Sequence, residues 1–275
     1  ISCCRVEPGN AVDLTGNDTD LVFADPARRG EGGRKVFLLE DCEPDILTLR
    51  DELLSLSPHL LVKLSPMADI SMVVSRLGAQ VREVHVVGTG GASGECKELL
   101  VWLQRGWDGP WTLVVADASS SEEGCVCGTI DCGGAGEGSL AVAQAGDIVP
   151  GMVLLEPSST LMKAGCFALL SSRWGLLALD RSTHLFVCPG EVPQLLRDYC
   201  KVFIVNEILP LSSSSVKSLA VRRMKAGASA RNVQMTSAEL ARRLKLSDGG
   251  DVHVFGCATA ASGNLLLVCQ RVTLF

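Results

Sequence analysis

The sequence predicts an α/β protein with a parallel sheet near its start and a compact α+β unit near its end. Three observations carry this. Short apolar runs, "DLVFAD" (20–25), "HLLVKLSP" (59–66) and "EVHVV" (83–87), read as buried strands. Amphipathic stretches, "EPDILTLRDELLSL" (43–56) and "MADISMVVSRLG" (67–78), lie between them, the second closed by Gly78. Strands of successive apolar residues that alternate with helices imply a parallel sheet covered on both faces.

Further along, residues 107–155 are rich in Gly, Ser and Cys, with "TLVVAD" (112–117) and "MVLLEP" (152–157) as strands. From 158 the stretch "SSTLMKAGCFALLSSRWG" reads as one helix leading into "LLALD" and "HLFVC". From about 191 the expected order is helix, strand "KVFIVNEIL", helix 214–226, strand 228–234, helix 237–246, and strands 251–257 and 265–272. Thr236 and Glu239 form a capping box at the start of helix 237–246. That helix looks like the opening of a helix-turn-helix. "DGGDVHVFG" follows it, a glycine turn and a strand, so no recognition helix is available.

A chain of 275 residues, 47% apolar, can build two or three cores. No apolar run approaches the roughly 18 residues of a membrane span, and no secretory signal opens the sequence. Twelve cysteines scattered along the chain suit reduced thiols in a cytoplasm. Cys125, Cys127 and Cys132 cluster, but without a second CxxC or His pair, so no metal is expected and a turn-rich hairpin is. The chain opens at Ile1 without an initiator methionine, which suggests a fragment of a longer protein.

Two stretches bear on chemistry. "LVFADPARRG" (21–30) ends an apolar run in Asp-Pro and adds two arginines at once. Asp and Pro are both poor in strand interiors, so the strand stops at Ala24 and presents the Asp25 carboxylate at its carboxyl end. In open α/β sheets that edge is where ligands bind, although the dipeptide by itself is more simply explained by an Asp-Pro turn with solvated arginines. The second stretch, Gly88 to Gly94, follows a strand and precedes "ECKELLVWLQ" and "TLVVAD", ending at Asp117. That arrangement resembles a dinucleotide fingerprint. The rival is a loop between adjacent strands, because Leu99 to Leu103 form an unbroken apolar run that suits a strand buried on both faces.

Together, "DLVFADPARRG…KVFLLEDCEPDI", "LLVKLSPMADI", "EVHVV…ECKELLVWL", "LEPSSTLMKAGCFALL", "THLFVC" and "LKLSDGGDVHVFG" resemble one bacterial family across essentially the whole chain. It is the class I S-adenosylmethionine-dependent methyltransferases that carry a ferredoxin-like and a C-terminal THUMP-like domain. The resemblance implies the C-terminal half of a Rossmann-like methyltransferase sheet (1–106), a strand-rich connecting segment (107–150), a ferredoxin-like domain (151–190) and a THUMP-like domain (191–275). It makes 20–25, 59–66, 83–87 and 96–103 the fourth to seventh strands, and so reads 88–94 as a loop between antiparallel strands. Asp25, Pro26, Ala27 and Arg28 then match the family's catalytic motif. Asn10 and Ala11, in "EPGNAVDL", match the segment that touches adenine, with Asn10 where an Asp is common. The family's glycine-rich first-strand loop and the acid ending its second strand have no counterpart. The S-adenosylmethionine site is therefore expected to be incomplete, and this chain alone to bind the cofactor weakly and to be inactive by itself.

For methyl transfer, an acceptor at the strand edge can take a hydrogen bond from an amine or ring nitrogen, with Pro26 fixing the local backbone. Arg28 and Arg29 can grip a phosphate as charged forks. Asp-Pro-Ala-Arg also resembles the motif of RNA uracil-5 methyltransferases, whose later Ser-Cys-Asn-Pro supplies a nucleophile. Here the strand end is Lys63-Leu64-Ser65-Pro66, without cysteine, and Cys96 reads as a packed thiol, so a nitrogen target is favoured. Lys63 reads either as a cleft charge near phosphates or as a surface lysine.

The net charge of −6 argues against nucleic acid in bulk. Between Val216 and Leu246, however, Lys217, Arg222, Arg223, Lys225, Arg231, Arg242, Arg243 and Lys245 face a single acid, Glu239. Such a stripe is a local RNA footprint or a solvated helix face. THUMP domains bind RNA in tRNA-modifying enzymes, so the resemblance implies structured RNA, tRNA or rRNA, as partner. With 4% aromatic residues, phosphate and shape contacts should dominate over base stacking. The expected function is an RNA methyltransferase. The alternatives are a non-catalytic RNA-binding module and a nucleotide-binding oxidoreductase built on residues 88–94, which needs 95–104 to be helical and Asp117 to face a ribose.

Overall fold

The fold is that of a computed structural model, which describes residue 9 and residues 19–28, 42–121, 124–133 and 138–272. The chain divides into two compact units, one holding 1–88, 96–116 and 129–135 and the other 89–95, 117–128 and 136–275.

In the first unit β1 (Val22–Ala24) is followed by β2 (Ala27–Arg28), which pairs with β3 (Cys42–Glu43). Helix α1 (Ile46–Leu56) starts where the Asp45 carboxylate accepts a hydrogen bond from Leu47 N. It leads into β4 (His59–Leu64), and β1 and β4 run parallel with Phe23 opposite Leu61. Helix α2 (Ile70–Leu77), capped by Asp69 and ended at Gly78 with φ 81°, leads into β5 (Val81–Thr89). Then come β6 (Glu95–Gln104), β7 (Thr112–Ser121) and β8 (Gly124–Asp131). The sheet order is β1-β4-β6-β5-β7-β8, with β6 antiparallel to β4. Strands 20–25, 59–66 and 83–87 and the two helices stand as the sequence predicts.

The two faces of this sheet differ. Leu60, Val62 and Leu64 of β4, and Leu99, Val101 and Leu103 of β6, are buried. Their neighbours Leu61, Lys63, Leu100 and Trp102 point to the opposite face and are only half-buried. The expectation of a sheet covered on both faces is therefore not met among the described residues. Strand β6 likewise alternates instead of being buried on both sides, because period 2 sends Leu100 and Trp102 outward.

In the second unit β9 (Val153–Pro157) is followed by α3 (Ser159–Ala164) and α4 (Phe167–Trp174). The single helix expected over 158–175 is thus two, broken where Gly165 takes φ 65°. Strands β10 (Leu177–Ala178) and β11 (Phe186–Cys188), helix α5 (Gln194–Tyr199) and strand β12 (Cys200–Pro210) follow. Helix α6 (Ser213–Val221) ends earlier than expected, since Arg223 adopts φ 46°, and β13 (Lys225–Arg231) starts at Lys225 instead of 228. Helix α7 (Ser237–Arg243) opens on Thr236, which accepts from Glu239 N, and β14 (Ser247–Thr259) and β15 (Gly263–Val272) complete the unit. The seven-stranded order is β10-β11-β9-β12-β15-β14-β13, in which β13 and β14 are parallel and the other recorded pairs antiparallel. Alternate residues of β15 serve two cores: Leu265, Leu267 and Cys269 pack with Leu154, Phe203 and Phe255, whereas Leu266 and Val268 pack with Leu219, Leu240 and Leu244.

No helix among the described residues is long and apolar enough to cross a membrane, and none of their His, Cys, Asp and Glu side chains form a group able to hold a metal ion.

Candidate functional site

The open face of the first sheet carries a continuous arrangement. Leu21, Leu61, Leu100 and Trp102, with Asp20, His59 and His85, line a cavity of about 450 Å³. The Trp102 indole N–H lies 3.2 Å from His59 Nδ1. Two residues along each strand, the same face turns charged. Asp25 closes β1, Lys63 is the penultimate residue of β4, and Glu98 lies on antiparallel β6. Lys63 Nζ donates to Asp25 Oδ2 at 2.6 Å and lies 3.9 Å from Glu98 Oε2. Pro26 is buried behind this edge, and Ala27 pairs with Glu43. Period-2 alternation makes the cluster: Asp25, Lys63 and Glu98 fall on the face of Phe23, Leu61 and Leu100.

The Asp25 side chain is 53% exposed, so water screens the pair and leaves the carboxylate accessible. Arg28 lies on β2. Asn10, Ala11 and Arg29 fall outside the described residues. The structure thus brings together Asp25, Pro26 and Lys63, and adds Glu98, which the sequence reading missed. Its signal was the alternation Glu98, Leu100, Trp102, concealed by the apolar run around it.

The glycine segment does not form a nucleotide loop. Gly91–Ser93 make a single 3-10 turn and residues 95–104 are strand β6. A Cβ at Gly94 would fall 1.8 Å from Thr89 O, so the loop closes on itself. Asp117 accepts a hydrogen bond from Gly91 N at 3.0 Å. The oxidoreductase alternative required a helix over 95–104 and is overturned.

The basic stripe separates into parts. Arg222 forks onto Glu207 at 2.6 and 2.9 Å, and Arg243 bonds Glu239 one helical turn away. Arg231 donates to Glu156 at 2.5 Å, and Lys201 donates to the other Glu156 oxygen at 3.1 Å. Burial pushes the Glu156 carboxyl up, but the Arg231 hydrogen bond and the charges of Lys201 and Arg231 more than offset this and hold it below the usual carboxylate value. Glu239 is therefore not the stripe's single acid; Glu207 and Glu156, distant in sequence, also neutralise it. Lys217, Arg223, Lys225, Arg242 and Lys245 are exposed and have no ion pair among the described residues. Lys225 lies opposite Ser247, and Ser247 N donates to Met224 O, which draws the turns after α6 and α7 together. Cations there also complement the two helix C-termini.

Among the cysteines whose side chains are described, Cys96 and Cys166 are half-buried and the other five are buried. Cys200, Cys257 and Cys269 are buried, and burial pushes their thiols up, that of Cys257 to about 12. Cys132 is buried with its thiol 3.7 Å from Ile130 O, while the side chains of Cys125 and Cys127 lie outside the described residues.

Residues 154–195 match a ferredoxin-like domain family, and residues 200–271 match a THUMP domain-like family. The chain is similar in structure to a "putative methyltransferase" from Porphyromonas gingivalis W83, with a TM-score of 0.75 and 29% identity. The likeness covers 92% of this chain, which spans 60% of the length of that one. No curated protein matches the sequence. The chain carries a ferredoxin-like domain followed by a THUMP-like domain, on a fold shared with that protein, in agreement with the methyltransferase family its sequence resembles.

Proposed function

We propose that the chain serves S-adenosylmethionine-dependent methylation of RNA, with tRNA or rRNA as substrate. One observation carries the reading: an exposed carboxylate, Asp25, stands at the carboxyl end of a parallel strand pair in a protein that also has a THUMP-like domain. An exposed carboxylate at a strand end fits a cofactor whose ammonium and adenine amino groups both donate hydrogen bonds. When bound, S-adenosylmethionine supplies an electrophilic methyl group. Asp25 accepts from an amino group of the cofactor or of the target base, and Pro26 fixes the backbone that aims it. Lys63 holds the carboxylate in place while Glu98 balances the lysine. Arg28, Arg29 and the unpaired cations of 217–245 hold phosphates. Scattered, mostly buried thiols support a cytoplasmic setting.

The test is transfer of labelled methyl groups from S-adenosylmethionine to RNA by a full-length version in which this sequence is joined to a glycine-rich first-strand loop of the methyltransferase family. Asp25→Asn should lower transfer by about 100-fold or more, the scale of a lost acid–base or positioning group, while RNA affinity stays within about twofold. Equal losses in both would remove Asp25 from the reaction. A second reading, a non-catalytic RNA-binding module, draws on the family matches, which cover 154–195 and 200–271 and not the Asp25 edge.

A further inference from the structure

At the far end of β13 from the basic turns lies a cleft of about 760 Å³, lined by Leu211, Asn232, Val233, Gln234, Met235 and Asn264. Register explains its walls. Arg231 lies opposite Cys257, and Ala258 opposite Asn264, so Asn232 and Asn264 flank Ala258 from two sides. Asn232 takes φ 55°, a left-handed conformation that Asn tolerates better than most residues. Its amide nitrogen donates to Asp180 Oδ1 at 3.1 Å, which leaves its carbonyl oxygen as an acceptor. The side-chain amides of Gln234 and Asn264 are exposed and have no hydrogen-bond partner among the described residues. Leu211, Val233 and Met235 supply the apolar surface.

We propose that this cleft binds an unpaired nucleobase of RNA, adenine by preference; this rests on the RNA-binding reading above. None of the six lining residues is charged, so a phosphate finds no counter-charge there. Arg231, the adjacent cation, is tied to Glu156. Three carboxamides offer donors and acceptors together, which suits a neutral ligand with both on one edge. A flat base also uses the apolar surface and the Met235 thioether. Carboxamides pair bidentately with the N6 and N7 of adenine, and single-stranded bases are the ones free to enter a cleft. The seven residues of β13 place the cleft about 20 Å from the basic turns, at roughly 3.3 Å per residue. A few nucleotides of single strand span that distance, with phosphates gripped at one end and a base read at the other.

The experiment measures affinities of the 275-residue protein for ten-nucleotide oligoadenylate, oligouridylate and a blunt hairpin RNA, each across a salt series. Oligoadenylate should bind about five- to tenfold tighter than oligouridylate, and Asn264→Ala or Gln234→Ala should remove that preference without changing the salt slope. Both positions are exposed, and thermal unfolding of each variant checks that it is folded. Equal affinity for the two oligomers, with variants that change nothing, would overturn the cleft while leaving salt-dependent RNA binding intact. Failure of the wild type to bind any of the three RNAs would overturn the RNA-binding reading itself.

Discussion

Glu156 and Asp25 are both carboxylates at the end of a strand, and each is held by a lysine, yet their surroundings assign them opposite work. The Glu156 side chain is 6% exposed between Lys201 and Arg231, whereas that of Asp25 is 53% exposed with one lysine. Taking a carboxylate out of water costs several kcal/mol unless partners compensate, roughly as two cations do for Glu156. Such a group is committed to the fold. Asp25 pays little desolvation and remains available to a ligand. Burial, more than the presence of an ion pair, therefore separates a structural carboxylate from a candidate reactive one.

The largest test of the contrast is Glu156→Ala, expected to destabilise the second unit by about 3 kcal/mol or more, because Arg231 and Lys201 lose their counter-charge. Both cations are about one-third exposed, 37% and 33%, so water recovers part of the loss and the low end of the usual range applies. Urea unfolding measures it. The pH dependence has a defined sign. The folded pKa of Glu156 is depressed, so its contribution is present above the ordinary carboxylate pKa and is lost as pH falls through the lower, folded value. Wild type should therefore lose urea resistance on acidification below the carboxylate range, and Glu156→Gln should flatten that loss.

Next in size is Gly227→Ala on the same sheet face. A Cβ there would sit 2.6 Å from His253 Nδ1, and the ring is held by Ser229 at 2.9 Å and by Phe255 at 4.4 Å between centroids. Overpacking of this kind costs about 1–3 kcal/mol, read as a lower unfolding midpoint. Neighbouring arginines sharpen the point for RNA. Arg223→Ala should flatten the log–log salt slope of RNA affinity by about one unit, and Arg222→Ala should leave it nearly unchanged because Glu207 already occupies that guanidinium. The smallest effect is Lys63→Ala on stability, below about 1 kcal/mol for an exposed pair. A loss as large as that of Glu156→Ala would erase the distinction between the two carboxylates.

Local patterns made much of this fold legible. Apolar runs bounded by proline mark β1 and β4, Gly78 is visible as a helix end, and Asp25 is visible as a strand end. Contacts across long sequence separations were not visible. Lys63 reaches Asp25 over 38 positions and Arg231 reaches Glu156 over 75, so neither pairing leaves a local trace. Glu98 was hidden because an apolar run does not announce which of its faces is open. The end of α6 was misplaced for another reason: Val221-Arg222-Arg223-Met224 is acceptable helix sequence, and only the pairing of Lys225 with Ser247 turns the chain out of it.

The glycine loop also constrains how the protein is made. Ser93 accepts a hydrogen bond from Arg271, which lies 178 residues later, and Gly94 O accepts one from Ser159, 65 residues later. On a ribosome working at about 5–20 residues per second, the loop waits roughly 10–35 s for its last partner to be synthesised. Until then the Ser93 hydroxyl lacks its arginine donor, although Asp117 and Ser159 already serve the loop backbone, and a chain stalled before Arg271 never gains that contact.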